Sequence, residues 1–460
     1  MTVDLAIRGG TVVTAGSIGI ADIGVREGKI VQIGGDISGR REIHAQGKYV
    51  LPGGVDVHVH LTSPRQSGPG VETWVDDFDS GSRAAIAGGV TTIGNMTFQR
   101  QGETLRDALE RDLVAAKRDG AVDFVLHPVL TDPSHDALSQ ISELAATGHT
   151  SLKIYLVRDN FDARVDDYVR AMQLAAHSGS LIMAHCEDGA LIRCICRDLI
   201  GCGMGAPRFW PDARPDYTET AATERAIAIA RATGAAIYVV HLSSAGALAS
   251  CLRARAEGLH VYVETRPLYL YLTREVFDQP DCAKYVGAPP LRCEDDVRAM
   301  WHGLLSGAIQ CVCTDHAPWS LRQKLDPKLD VTTVRQGVAD LETLMPMLFS
   351  EGVLNGRISL NRFVELTSTN AAKLFGMYPQ KGTIAIGSDA DLVVWDSGAR
   401  KIINGATMQS KAGYSVYDGR EVKGWPIYTI SRGEIVLDNG KITAQRGRGQ
   451  WVRRSKPMML

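Results

Sequence analysis

Between Gly54 and about Phe375, short apolar runs alternate with longer amphipathic stretches, and this alternation limits the possible folds more than any other feature of the chain. The apolar runs fall at 55–61, 90–95, 122–128, 151–157, 181–185, 236–242, 259–264 and 308–314. Helical periodicity marks 105–118, 164–177, 219–233, 244–256 and 359–374. Eight strands interleaved with helices over about 320 residues predict an α/β fold of the (β/α)8 TIM-like barrel type. The rival, a doubly wound open sheet, normally has a glycine-rich turn after its first strand. Here that turn reads Leu61-Thr62-Ser63-Pro64. The ends of the chain have a different texture. Asp4–Arg8, Thr11–Val13, Ala21–Val25 and Lys29–Ile33 predict a small antiparallel sheet. Beyond Gly382, β texture returns at Thr383–Ile386, Leu392–Trp395 and near 426–431 and 434–437. Residues 1–52 and 383–460 are therefore expected to form one smaller β-sandwich domain, with the barrel at 53–382 inserted between its halves. The basic tail from Arg446 to Leu460 is unpatterned, and a frayed end and a strap on a neighbouring subunit are both open.

Composition removes several classes of function. With a formal net charge of −2 the chain lacks the polyelectrolyte field that nucleic acid requires. No apolar run reaches the ~18 residues of a membrane span. The opening Met1-Thr2-Val3-Asp4-Leu5 has neither the basic nor the apolar region of a secretory leader. Nine cysteines, an odd number scattered through predicted elements, indicate a reduced, cytoplasmic protein. Cys194-x-Cys196 and Cys311-x-Cys313 lack zinc-knuckle spacing and are expected to be buried small apolar residues.

In a parallel barrel, functional groups stand at the C-terminal ends of the strands. Those positions hold His58 and His60 on the first strand, Lys153 on the fourth, His185 on the fifth, His241 on the sixth and Asp315 on the eighth. A two-residue spacing puts His58 and His60 on one face of a strand. Imidazole is the commonest protein ligand for zinc, and four histidines at equivalent strand ends predict a metal site. Alternation directs Lys153 inward with Tyr155 and Val157. A buried ammonium costs several kcal/mol unless paired. Two readings follow: an ion pair with a carboxylate such as Asp315, or reaction with carbon dioxide to give a carbamate that bridges two metals.

Asp56-Val57-His58-Val59-His60, Leu152-Lys153-Ile154, Ala184-His185-Cys186-Glu187, Val240-His241-Leu242-Ser243 and Thr314-Asp315-His316-Ala317-Pro318 together resemble the amidohydrolase superfamily. Pro379–Ile384, Gly387–Leu392 and Gly449–Val452 are similar to hydantoinases and dihydropyrimidinases within it. The resemblance implies two zinc ions per chain. One would be held by His58, His60 and Asp315, the other by His185 and His241, with N6-carboxylated Lys153 bridging both. It implies that a metal-bridging hydroxide attacks a ring amide of a small cyclic ureide, with Asp315 as proton shuttle, giving an N-carbamoyl amino acid. It also implies a homotetramer, and a supporting or purely structural role for His316. Three positions depart from the pattern. Arg158 stands where a tyrosine is common, Ala288 where a serine often precedes Pro289-Pro290, and Gln336 in place of an asparagine. Tyr155, Arg158, Ala288 and Gln336 are the candidate substrate contacts. For Arg158 a pairing with Asp159 or Asp162 is favoured over an anionic or polar ring substituent. Thr62 lacks the arginine of dihydroorotases. Allantoinase on the same site, and a non-catalytic dihydropyrimidinase-like scaffold, are the alternatives.

Overall fold

Strands at Gly54–Val59, Val90–Phe98, Asp123–Val129, Ser151–Tyr155, Leu181–His185, Ile237–Val239, Val261–Thr265 and Cys311–Val312 lie side by side in chain order. Every neighbouring pair is parallel. A parallel bridge between Val59 and His316 joins the last strand to the first, so the sheet closes on itself as the barrel predicted. These features come from a computed structural model that describes residues 2–62 and 72–460. Ser63 and Pro64 of the expected turn lie outside the described residues.

Strand–loop–helix chemistry sets the repeat. The helices Phe78–Gly88, Leu105–Asp119, His135–Ala146, Gly189–Gly201 and Ala245–Ala256 each begin behind a side-chain cap, supplied by Asp77, Thr104, Ser134, Asp188 and Ser244. Such caps satisfy backbone N–H groups that the first helical turn leaves without partners. Strand alternation divides the core in two. Leu181 and Met183 share a face with His185 and pack inside the barrel with Val125, Tyr238, Tyr262 and Phe375. Ile182 and Ala184 face the helices in the outer layer. Gly94 is required by close approach, because a Cβ there would collide with the His127 ring and the Val57 backbone.

The chain ends build a nine-stranded sheet that runs Lys441–Ile442, Glu434–Asp438, Glu421–Ser431, Leu392–Ile402, Tyr49–Pro52, Thr2–Val13, Ile18–Arg26, Lys29–Ile33, with Ser38–His44 also paired to Thr2–Val13. It corrects the expected antiparallel N-terminal sheet. Thr2–Val13 pairs antiparallel with Ile18–Arg26 but parallel with Ser38–His44 and Tyr49–Pro52. Alternation reports which face a residue takes and is silent about the direction of its partner. Thr383–Ile386 forms no strand, and the sheet resumes only at Leu392. The fourth barrel strand stops at Tyr155, so Val157 leaves the inward face and packs beside Ile192 and Cys196. Cys194 is exposed, unlike Cys196, Cys311 and Cys313, and none of the nine cysteines forms a disulfide. Among the described residues no helix is long and apolar enough to cross a membrane.

The tail is not frayed but packed on its own chain. Gln450 and Val452 bond the backbone of Phe124 on the third barrel strand, and buried Arg454 reaches Ser151 Oγ at 2.9 Å and the Leu126 carbonyl at 3.1 Å. It straps the chain's own barrel on the side of the strand starts, opposite the mouth.

Glu342 lies where the barrel meets the C-terminal segment, accepting the Gln409 N–H at 2.8 Å. Burial pushes its carboxyl up to about 7, against the opposing effects of that bond and of Lys401. A raised carboxyl pKa means the folded state holds the proton more tightly, so this group loses stability between the ordinary carboxylate range and about 7. Glu342→Gln should therefore match wild type near pH 4.5 and exceed it by about 1–2 kcal/mol at pH 8 in denaturant titrations. A variant less stable at both pH values contradicts this account.

Candidate active site

The mouth of the barrel holds a cavity of about 180 Å³ lined by His60, Trp74, Phe98, Tyr155, Arg158, His185, His241, Ala288, Asp315, Ala317, Gln336 and Gly337. Eight of the ten residues singled out from the sequence are in that lining. The other two, His58 and Lys153, lie fully buried among the same side chains.

Asp315 is the hub. Its Oδ1 is 2.8 Å from His60 Nε2 and 3.2 Å from His58 Nε2, and its Oδ2 accepts from Arg266 at 3.0 Å. One ligand-type atom from each of His58, His60 and Asp315 lies within 4.8 Å of the others. Burial would raise the Asp315 carboxyl, but the Arg266 guanidinium and the two histidines hold it well below the usual range. A second pair stands alongside, with His185 Nδ1 2.9 Å from His241 Nε2. Burial lowers the pKa of His60 to about 4 and that of His241 well below the ordinary range, which favours the neutral form that ligates metals.

Two of the imidazoles, His58 and His185, are oriented from behind. Glu264 Oε1 lies 2.7 Å from His58 Nδ1 and also accepts the His241 backbone N–H at 3.0 Å. Glu187 Oε2 is 2.8 Å from His185 Nε2 and 2.6 Å from Arg214. Burial opposes ionisation of Glu187, but Arg214 and His185 hold its pKa at about 2. Partners of this kind fix the tautomer and ring plane of a ligating histidine. His241 and Asp315 adopt left-handed backbone, with φ of 40° and 51°. Such conformations cost on the order of 1–3 kcal/mol and concentrate at functional sites.

Among the described residues Lys153 makes no ion pair and no hydrogen bond. Its Nζ is buried without a partner there, 4.9 Å from the centre of the Tyr155 ring, and of the two readings the pairing with Asp315 is not formed, Arg266 holding that carboxylate instead. Burial lowers its pKa to about 8, with Asp315 and Glu264 opposing. His58 Nε2, His60 Nδ1 and His241 Nδ1 are also buried without hydrogen-bond partners. Unpaired buried polar atoms are expensive, and a cluster of imidazole nitrogens with one carboxylate and one amine fits a metal centre with a carbamate.

Sequence reasoning missed Glu264, Glu187, Arg266, Trp74 and Phe98. Glu264 carried a usable signal, since it is a charged residue ending the seventh apolar run. Arg266 lies beyond a strand end, and Trp74 and Phe98 are apolar, so nothing marked them out. Lys324 was also missed. It is buried and donates to the carbonyls of Val286, Arg335 and Gly337 at 2.6, 2.7 and 2.9 Å, tying the loop of Ala288 to that of Gln336. His316 lies behind the site, with Nε2 3.0 Å from Asp76. The expected pairing of Arg158 is corrected. Asp159 bonds Arg193 at 2.5 Å and Asp162 bonds Arg225 at 2.6 Å, while Arg158 lies over the rings of Phe98 and Tyr155.

A closed parallel barrel with histidines, a lysine and an aspartate converging at its C-terminal mouth defines a class of hydrolase scaffold. A match to the amidohydrolase family spans residues 49–436, and the chain belongs to that family, in its hydantoinase and dihydropyrimidinase branch. It is 37% identical over 459 residues to a D-hydantoinase of Rhizobium radiobacter, covering 98% of this chain and 99% of the relative. A D-phenylhydantoinase of Escherichia coli is 38% identical, with 98% of both chains covered. Among solved structures, D-hydantoinase from a Bacillus species superposes with a TM-score of 0.94 at 37% identity, covering 99% of this chain and 100% of the other. Dihydropyrimidinase from Brevibacillus agri gives 0.93 at 36%, covering 98% and 99%.

Proposed function

We propose that this protein is a binuclear zinc hydrolase that opens the ring amide of a hydantoin or dihydropyrimidine to an N-carbamoyl amino acid. The observation that carries the reading is Lys153, a buried amine with no partner among the described residues, beside imidazole nitrogens that also lack one there. Its carbamate would bridge the two metals, with His58, His60 and Asp315 holding one and His185 and His241 the other. Bound there, the ions would lower the pKa of water to about 7 and polarise a carbonyl.

The remaining work falls to the chain's own groups. Asp315 faces both the histidines and the cavity, and Arg266 keeps it ionised. It takes a proton from the attacking water and delivers it to the departing ring nitrogen. Trp74, Phe98 and Tyr155 wall the ring on its apolar side, and Lys324 holds the loops of Ala288 and Gln336 in register against it. Glu264 and Glu187 keep the imidazoles in place. The relatives named as D-hydantoinases support the substrate class. The unpaired cysteines support a cytoplasmic location, and family resemblance supports a homotetramer.

Purified enzyme should contain about two zinc ions per chain and consume base on hydantoin, 5-substituted hydantoins or dihydrouracil, with an N-carbamoyl amino acid as product. Preference for allantoin over all of these would move the assignment to allantoinase. A metal-free preparation that stays inert after zinc is restored would identify a scaffold.

A further inference from the structure

We propose that Arg158 selects cyclic ureides whose ring substituent carries a carboxylate, a substrate class that rests on the hydrolase reading above and narrows it. Arg158 lines the same cavity as Asp315 and the histidines, and among the described residues it is the one lysine or arginine side chain in that lining. Its guanidinium carbon lies 4.9 Å from the centre of the Tyr155 ring and 5.6 Å from that of Phe98. The two aromatic rings fix its place by cation–π attraction, which leaves the N–H groups to find acceptors of their own.

Among the described residues none does so. No carboxylate forms an ion pair with Arg158, and no side-chain or backbone oxygen accepts from its guanidinium. The nearest acids in sequence are engaged elsewhere, Asp159 with Arg193 and Asp162 with Arg225. Residues 63–71, which lie outside the description, read Ser-Pro-Arg-Gln-Ser-Gly-Pro-Gly-Val and contain no aspartate or glutamate. The lining also includes Ala288 and Ala317, which carry no charge. The cavity thus presents a stacked guanidinium to whatever occupies it. Carboxylate is the group that matches such a fork, accepting two parallel N–H bonds in one plane.

At about 180 Å³ the cavity suits a single ring with a short arm, so the carboxylate should sit one or two carbons from the ring. A neutral aryl arm would meet a guanidinium whose faces the Phe98 and Tyr155 rings already attract. An amide arm of equal size would fill the same space without the charge-assisted pair.

The test compares kcat/KM of the zinc-loaded enzyme on 5-carboxymethyl- and 5-(2-carboxyethyl)hydantoin with the corresponding side-chain amides. Wild type should prefer one of the carboxylates by about 10- to 100-fold, the range of a charge-assisted hydrogen-bonded pair, with the difference lying mainly in KM. Arg158→Gln should bring that ratio close to one, and Arg158→Lys, which keeps charge but loses the fork, should fall between. A wild-type ratio near one overturns the proposal without any variant. So does a ratio that survives Arg158→Gln while kcat falls on acid and amide alike, since the guanidinium would then serve the ring itself. An enzyme inert toward all four compounds but active on unsubstituted hydantoin overturns the proposal and leaves the hydrolase reading standing. Inertness toward hydantoin and dihydrouracil as well removes both.

Discussion

Lys153→Ala is expected to lower kcat on hydantoin substrates by about 10³-fold or more and to reduce bound zinc from about two ions per chain to one or none. The expectation follows from what the lysine lacks. A buried amine without acceptor or counter-ion is a liability to folding, and nothing among the described residues offsets it. Conversion to a carbamate would remove the cation and would give Lys153 two oxygens with which to hold metal. In that step the nitrogen lone pair bonds the carbon of CO2 and the nitrogen loses its proton, so only the neutral amine reacts. With burial lowering the Lys153 pKa to about 8, metal-depleted enzyme given zinc at a fixed concentration of dissolved CO2 should recover faster as pH rises, levelling off above about 8. Lys153→Arg should fail like the alanine variant, because a guanidinium cannot form the carbamate. Full activity in Lys153→Ala would instead favour a mononuclear hydrolase such as a deaminase on the same barrel.

Lys381→Met carries the largest expected loss of stability, about 3–5 kcal/mol at pH 7.5. Lys381 Nζ is buried and lies 2.6 Å from Asp123, 2.7 Å from Asp391 and 3.0 Å from Asp389. Asp123 opens the third barrel strand, whereas Asp389 and Asp391 lead into Leu392–Ile402 of the other sheet. The ammonium therefore joins the two layers of the molecule. Methionine fills much of the same space but leaves three carboxylates around a missing charge. Arg432, 3.1 Å from Asp123, and Lys29, 2.5 Å from Asp389, soften the loss. Burial opposes the charge on Lys381, yet Asp391 and Asp123 hold its pKa above the ordinary lysine value. Lys381 therefore stays charged through the acid and neutral range, and its own titration weakens the fold only under alkaline conditions. In the variant, orphaned carboxylates take up protons readily, so the gap to wild type should narrow as pH falls toward 4. Urea titrations at the two pH values measure both effects, and a loss below about 1 kcal/mol at pH 7.5 would refute the account.

How much of this was legible beforehand differs from element to element. Leu181–His185 was read with its observed bounds, because four apolar residues and a histidine between a helix and a turn leave few other choices. Cys311–Val312 is far shorter than the expected 308–314, since the eighth strand bonds its neighbours over only a few residues before Asp315 turns left-handed. The ligand-type residues were visible through one rule, that parallel strands deliver their last residues to a common mouth. Glu264 obeyed the same rule and went unread, while Arg266 and Trp74 obeyed none. Arg158 was misjudged because Asp159 and Asp162 are close in sequence, yet both carboxylates point to arginines on other helices.

By itself, then, the order of residues determined the barrel and the convergence of His58, His60, Lys153, His185, His241 and Asp315, because period and strand parity are local properties that each segment carries with it. Only the tertiary structure decided that Lys153 has no partner among the described residues, that Arg266 holds Asp315, that the tail straps its own barrel and that Arg158 faces the cavity. Those are questions of which side chains share space and compete for one another's charge, and that competition is settled among residues far apart in the chain.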